Sequence, residues 1–307
     1  MKHRIVYGDG MLFLGSCFAD EIGNSCKGLG FNAVVNPFGV LYNPLSIANA
    51  LHRLQSGTPF SSEEVIQVGE EYYCTFSHNT NFWNPTKEGL LNHVNNELEK
   101  ASLCFKKAQW VIISLGTAWV FCFQPTMQVV ANCHKMPSRL FERFCLSLPQ
   151  TIQSLSAVLE AHPDKEFIFT VSPLRHLKDG LHGNQLSKAT LLLAVEQLCN
   201  NYQNAHYFPA YEILLDELRD YRFYKEDMVH PTEQAVNYIF EKFVQFAVNP
   251  SEQPAMKAAL ELRQMLLHKP VFPESEAYRQ FESLREQKRE ALSAQYPSVL
   301  LNALSAK

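Results

Sequence analysis

Short apolar runs alternate with longer amphipathic stretches along most of the chain. The runs Met11–Leu14, Asn32–Val35, Trp110–Leu115, Phe167–Val171 and His206–Phe208 are brief and almost unbroken by polar residues. That is the pattern of strands covered on both faces. Between and after them, Phe18–Leu29, Leu45–Leu54, Lys87–Lys106, Pro149–Ala161, Leu186–Tyr202 and Thr232–Val248 carry the spacing of helices with one apolar face. Thr86 and Ser187 stand at plausible N-cap positions. Strands that alternate with helices predict parallel pairing through helical crossovers, hence an α/β sandwich.

Two stretches break the rhythm. Val65–Phe76 reads as a hairpin around Gly69-Glu70, and Trp119–Ala131 as another around Gln124-Pro125. Both are expected as antiparallel excursions at the rim of the sheet. After Asn249-Pro250 the composition shifts to helix formers, with Pro254–His268 and Glu274–Gln295 separated by a proline-bounded linker. The expected division is an α/β domain over residues 1–250 and a C-terminal helical extension over 251–307. The extension reads first as a packing arm, and a homodimer contact is its alternative.

Composition narrows the classes of function. With 46% hydrophobic and 19% charged residues in 307, the chain has ample material for a core and none of the bias of disorder. A formal net charge of -4 offers no global attraction to nucleic acid or to an anionic membrane, and neither is expected as a partner. The eight cysteines contain no C-x-x-C pair, and the first residues hold no apolar export segment, so a reducing cytoplasm is the expected compartment. Cys133-His134 lacks a second pair at ligand spacing, and neither metal nor organic cofactor is expected. Gly28-Leu29-Gly30 falls at a helix end, which argues against a dinucleotide site.

Two constellations could carry chemistry. In Met11–Asp20 an apolar strand ends at Gly15 and runs straight into a helix through Ser16 and Cys17. Open α/β sheets place ligands at such carboxyl ends, and the helix amides there can donate to a developing oxyanion. Either Cys17 or Ser16 would serve as a nucleophile. The second constellation is Asp227-Met228-Val229-His230, where a carboxylate three residues before an imidazole can orient it as a general base.

Gly15-Ser16-Cys17-Phe18-Ala19 resembles the signature of the GSCFA domain family, a branch of the SGNH/GDSL hydrolase-like superfamily. Asn36-Pro37-Phe38-Gly39, Leu115–Trp119, Val171–His176 and Asp227–Pro231 extend the match in order over roughly residues 11 to 245. The resemblance implies a flavodoxin-like three-layer α/β/α sandwich with a parallel central sheet, and acyl-ester hydrolysis or transfer on a small or glycan-linked acyl substrate. It sets Cys17 in the register of the superfamily nucleophile, although that chemistry favours a serine, as at Ser16. It also sets Gly39 in the oxyanion hole, and Asp227 with His230 as the catalytic pair. Where the superfamily carries an oxyanion-donating Asn, this chain has Gly116-Thr117-Ala118, so Gly116 and Thr117 are the nearest substitutes. Asn36, His78, Trp119, Arg175 and His176 are the expected substrate-binding residues. The alternative implied by the missing Asn is a catalytically degenerate fold kept as a glycan- or metabolite-binding module.

Overall fold

A computed structural model describes residues 3–304. The chain runs β1 (Gly10–Gly15), α1 (Cys17–Gly28), β2 (Asn32–Val35), α2 (Pro44–Ser56), β3 (Val65–Val68), β4 (Tyr72–Thr75) and α3 (Lys87–Lys107). It continues through β5 (Trp110–Leu115), β6 (Trp119–Phe123), β7 (Gln128–Val130), β8 (Phe141–Cys145), α4 (Leu148–Ala161), β9 (Glu166–Val171), α5 (Gly180–Asn201) and β10 (Ala205–Tyr207). The last elements are α6 (Ala210–Glu212), α7 (Glu233–Ala247), α8 (Gln253–Leu267), α9 (Glu276–Gln295) and α10 (Leu301–Leu304).

The five expected strands form one parallel sheet in the order β10-β9-β5-β1-β2. In chain order of its own members this is the 2-1-3-4-5 arrangement, which reverses direction between β1 and β5. The carboxyl ends of those two strands therefore border the crevice where doubly wound sheets bind ligands. Side chains along β1 alternate between layers: Leu12 and Leu14 join Ile47, Leu51, Val94, Leu155 and Leu191 on one face. Met11 and Phe13 join Phe18, Ile22, Ile239 and Phe243 on the other. A period of two in a fully buried strand thus feeds two cores, with helices on both faces of the sheet.

The β3–β4 hairpin forms as expected, with Gly69 at φ +62 in its turn. The second excursion is larger than a hairpin, because Phe141–Cys145 adds β8 and makes a three-stranded antiparallel sheet in the order β7-β6-β8. A second correction concerns Ser187, which caps nothing. The helix starts at Gly180, and Ser187 lies inside it with its Oγ accepting from the Ala118 amide at 2.7 Å. The six-residue π-helical turn Ile213–Leu218 has no counterpart among the sequence expectations. The C-terminal helices pack on the α1 side of the sheet: Leu262 of α8 and Leu292 of α9 are buried there, and the Leu300 amide donates to Gly30 O at 2.8 Å.

Candidate active site

The turn after β1 is built around Gly15. At φ +135, a Cβ there would lie 2.1 Å from Ser114 O on β5, so only glycine fits. The Gly15 amide donates to Asn36 Oδ1 at 2.8 Å, and Gly15 O accepts from the Leu41 amide at 2.8 Å. Asn36 is therefore a brace. It is buried, held at φ +41, and its Nδ2 donates to Asp20 Oδ1 at 2.7 Å. This corrects its expected role in substrate binding. Burial raises the Asp20 carboxyl, and the Asn36 bond partly opposes that shift.

Ser16 and Cys17, of which register favours the cysteine and superfamily chemistry a serine, differ sharply in place. Ser16 is fully buried, its Oγ accepts from the Phe18 amide at 3.2 Å, and that same oxygen lies 2.9 Å from Ser114 Oγ. It is the cap of α1, with no face toward a substrate, which removes it as a nucleophile. Cys17 is the first helical residue and half-buried, with Sγ 3.7 Å from the Tyr42 hydroxyl. Its amide has no acceptor one helical turn back.

The expected oxyanion donors are otherwise engaged. The Gly39 amide donates to Asn36 O at 2.7 Å, and the Gly116 and Thr117 amides both donate to Tyr42 O, at 2.8 and 2.9 Å. Thr117 Oγ1 accepts from the Trp119 amide at 3.1 Å and lies 3.0 Å from Ser187 Oγ. These groups shape the loops around β1 and β5 and offer no free main-chain donor, a correction to their expected role. Gly39 has another function. At φ +73, a Cβ there would fall 2.2 Å from Asn79 Cγ, so its lack of a side chain admits the Asn79 amide. Asn79 Oδ1 accepts from the Asn81 amide at 3.1 Å, while Nδ2 donates to no acceptor among the described residues.

The Asp227–His230 pair forms as the spacing requires. Asp227 Oδ1 accepts from the Val229 and His230 amides at 2.8 and 2.9 Å, and Oδ2 lies 2.6 Å from His230 Nδ1. Those two amides, then the imidazole, push the carboxyl down to about 2. With Nδ1 donating to Asp227, the neutral ring keeps Nε2 as its acceptor, and that nitrogen has no partner among the described residues. No hydrogen bond joins His230 to Cys17, whose only side-chain partner among the described residues is Tyr42.

Tyr42 also borders a cleft of about 570 Å³ lined by Thr117, Trp119, Arg175, His176 and Val229. The His176 ring stands edge-on to Tyr42 at 5.4 Å between centroids, and its amide donates to Asn184 Oδ1 at 2.9 Å. Burial, then the charges of Lys188, Arg143 and His230, lower the imidazole to about 4 and keep it neutral near pH 7. Arg175 lies over the Tyr224 ring at 4.4 Å and reaches Met228 O at 3.4 Å, which ties the cleft to the His230 loop. Trp119, Arg175 and His176, all expected in substrate binding, thus line one cleft. His78 does not: it is sealed among Phe38, Phe60 and Phe82, with Nδ1 2.6 Å from Thr75 Oγ1, and its expected substrate role is corrected to a core one. A larger cleft of about 780 Å³ lies along α2 and touches none of the candidate residues.

Residues 10–243 match the family model described as the GSCFA family, and residues 260–306 match the one described as GSCFA domain protein, C-terminal domain. The chain belongs to the GSCFA family. A search of curated proteins finds no match.

Three side chains of this GSCFA protein complete the site without having been singled out by sequence. Tyr42 arrives on a loop that folds back over Gly15, an approach that no periodicity announces. Arg143 comes from β8, the strand the sequence pattern did not separate. Lys188 did leave a signal. Asn184, Ser187, Lys188, Leu191, Ala194, Val195 and Leu198 form one buried stripe on α5, so a lysine stands at an inward-facing position. It is 1% exposed, and its Nζ donates to Gly116 O at 2.7 Å and Ser172 O at 2.6 Å. Those bonds bind together the carboxyl ends of β5 and β9, and burial lowers the amine to about 7.

Proposed function

We infer that this protein is an acyl-ester hydrolase or acyltransferase of the SGNH type, with Cys17 as nucleophile. The observation that carries this is a half-buried thiol at the carboxyl end of β1, 3.7 Å from the hydroxyl of Tyr42, which lines the cleft, while its neighbour Ser16 is fully buried as a cap. His230, oriented by Asp227 at 2.6 Å, supplies the base. In the proposed reaction the Cys17 Sγ proton passes to His230 Nε2 as sulfur bonds to the acyl carbon. The C–O bond to the alcohol then breaks, and His230 returns the proton to the leaving oxygen. Water, or a second alcohol, next attacks the thioester with His230 again as base, releasing the acid or the new ester and restoring the thiol. The Cys17 amide and Asn79 Nδ2 are the donors proposed for the oxyanion. Closing the gap between Cys17 and His230 is assigned to substrate binding, since catalytic contacts often tighten only in the complex. A reducing compartment such as the cytoplasm suits eight unpaired thiols.

The test is hydrolysis of short-chain aryl esters. Removing a general base typically costs roughly 100- to 10,000-fold, so His230→Ala should fall in that range and Cys17→Ala should fall at least as far. Equal rates in wild type, Cys17→Ala and His230→Ala end the proposal. One observation favours a second reading, a binding module that has lost catalysis: the thiol is paired with Tyr42, and the loop amides at Gly39, Gly116 and Thr117 are engaged. That reading takes over if no ester or thioester is turned over while cleft ligands still bind.

A further inference from the structure

The 570 Å³ cleft is unusual in its charge. Four cations line it, Lys135, Arg143, Arg175 and Lys178, and no Asp or Glu does, although the chain as a whole carries -4. One carboxylate stands outside the lining, Asp179, with Oδ2 2.5 Å from Arg143 Nη2. The other guanidinium nitrogens of Arg143, Nε and Nη1, are buried and meet no acceptor among the described residues. Buried donors left unpaired are costly, more so on a charged group, and an anion or water beside them is one arrangement that relieves that cost. Lys178 has no carboxylate partner among the described residues either. Its Nζ stands 4.4 Å from the centre of the Phe121 ring, and the Arg143 guanidinium stands 4.7 Å from that same centre. Two cations thus stand against one aromatic ring, with the guanidinium also 5.4 Å from the Trp119 ring.

We propose that the Arg143–Lys178 corner of the cleft is a subsite for an oxyanion, a carboxylate or phosphate, borne on the apolar acyl group of the substrate. The volume is that of a small-molecule site. The cations would take the anion, and Trp119, Phe121 and Phe141 would take the adjoining apolar atoms. The identity of the occupant as a substrate rests on the acyl-transfer reading, whereas the anion site itself does not.

Two measurements separate them. Binding of glutarate and of inorganic phosphate is followed by calorimetry, which needs no turnover. Hydrolysis of the 4-nitrophenyl monoester of glutaric acid is compared with that of 4-nitrophenyl valerate. The expected result is saturable binding of at least one anion, its identity telling carboxylate from phosphate. The charged ester should be preferred in kcat/KM by roughly 10- to 100-fold, the range of one hydrogen bond to a charged group. Lys178→Gln, an exposed change, and Arg143→Met/Asp179→Asn, which removes an ion pair as a unit, should each abolish most of the binding and the preference. If neither anion binds, or if both variants bind as wild type does, the subsite is refuted, even with esters hydrolysed. Anion binding without hydrolysis of either ester keeps the subsite and removes the acyl-transfer reading.

Discussion

Replacing Lys188 with Met separates the charge of that side chain from its bulk. In the wild type, Nζ donates to Gly116 O and Ser172 O at 2.7 and 2.6 Å. The variant leaves both carbonyls buried without a donor, at roughly 1–3 kcal/mol each. Against this stands the cost of burying an ammonium, which lowers the amine from 10.5 to about 7. The fold disfavours the protonated form, so between pH 7 and 10.5 the unfolded chain binds more protons than the native one. Wild-type stability therefore rises with pH through that window, by at most about 1.4 kcal/mol per pH unit for one proton. Below pH 7 the penalty is at its full value and the contribution is flat. Urea unfolding of wild type and variant should show the variant weaker at pH 9, with the gap narrowing by roughly 2–3 kcal/mol at pH 7. His176, lowered to about 4, stays neutral in both proteins over this range if the Lys188 charge is a minor cause of its shift, as its place after burial indicates. A gap that is constant, or that widens toward pH 7, would refute the claim that the buried amine resists protonation.

Two further outcomes follow from the geometry. Ser16→Ala should lower stability by about 1 kcal/mol, as the loss of a helix cap does, while iodoacetamide still labels Cys17; a variant as stable as wild type would contradict the capping role. His78 is neutral in the core, lowered to about 3 chiefly by burial, so the unfolded chain takes up its proton near pH 6.5 and the native one does not. Stability should fall as pH drops from 6.5 toward 3, and His78→Leu should flatten that slope in acid unfolding; an unchanged slope would show that other groups dominate.

The strands were legible to within a residue, because a sheet buried on both faces forces unbroken apolar runs, as in Trp110–Leu115. The site was legible where chemistry depends on neighbours in sequence. Gly15 before Ser16-Cys17 and Asp227 three residues before His230 each act within one turn of chain. What escaped depends on distant contacts. Register alone only inclined the choice to Cys17 over Ser16; the contact that separates them is Ser114 of β5, which closes over Ser16 while Cys17 stays half-buried beside Tyr42. Ser187 has the composition of a cap, yet α5 begins at Gly180 because the stripe through Asn184 and Lys188 is pulled into the core. In β8, Phe141-Glu142-Arg143-Phe144-Cys145 has too short an alternation, with two adjacent charges, to stand out from a loop. His78 looked polar and available only because its three aromatic neighbours come from separate segments.

The antiparallel excursion leaves the sheet at Ala118 and returns at Leu146, and the Leu146 amide donates to Ala118 O at 2.9 Å. Its two ends are clasped, so residues 119–145 form a cassette that enters no strand of the parallel sheet. Trp119, Phe121 and Arg143, which face the cleft, all belong to it, whereas Cys17, Asp227 and His230 lie elsewhere in the chain. Drift within this one insert can retune what the cleft accepts without disturbing the proposed nucleophile or its proposed base, so the lining of the cleft and the Cys17 and His230 loops are free to diverge at different rates.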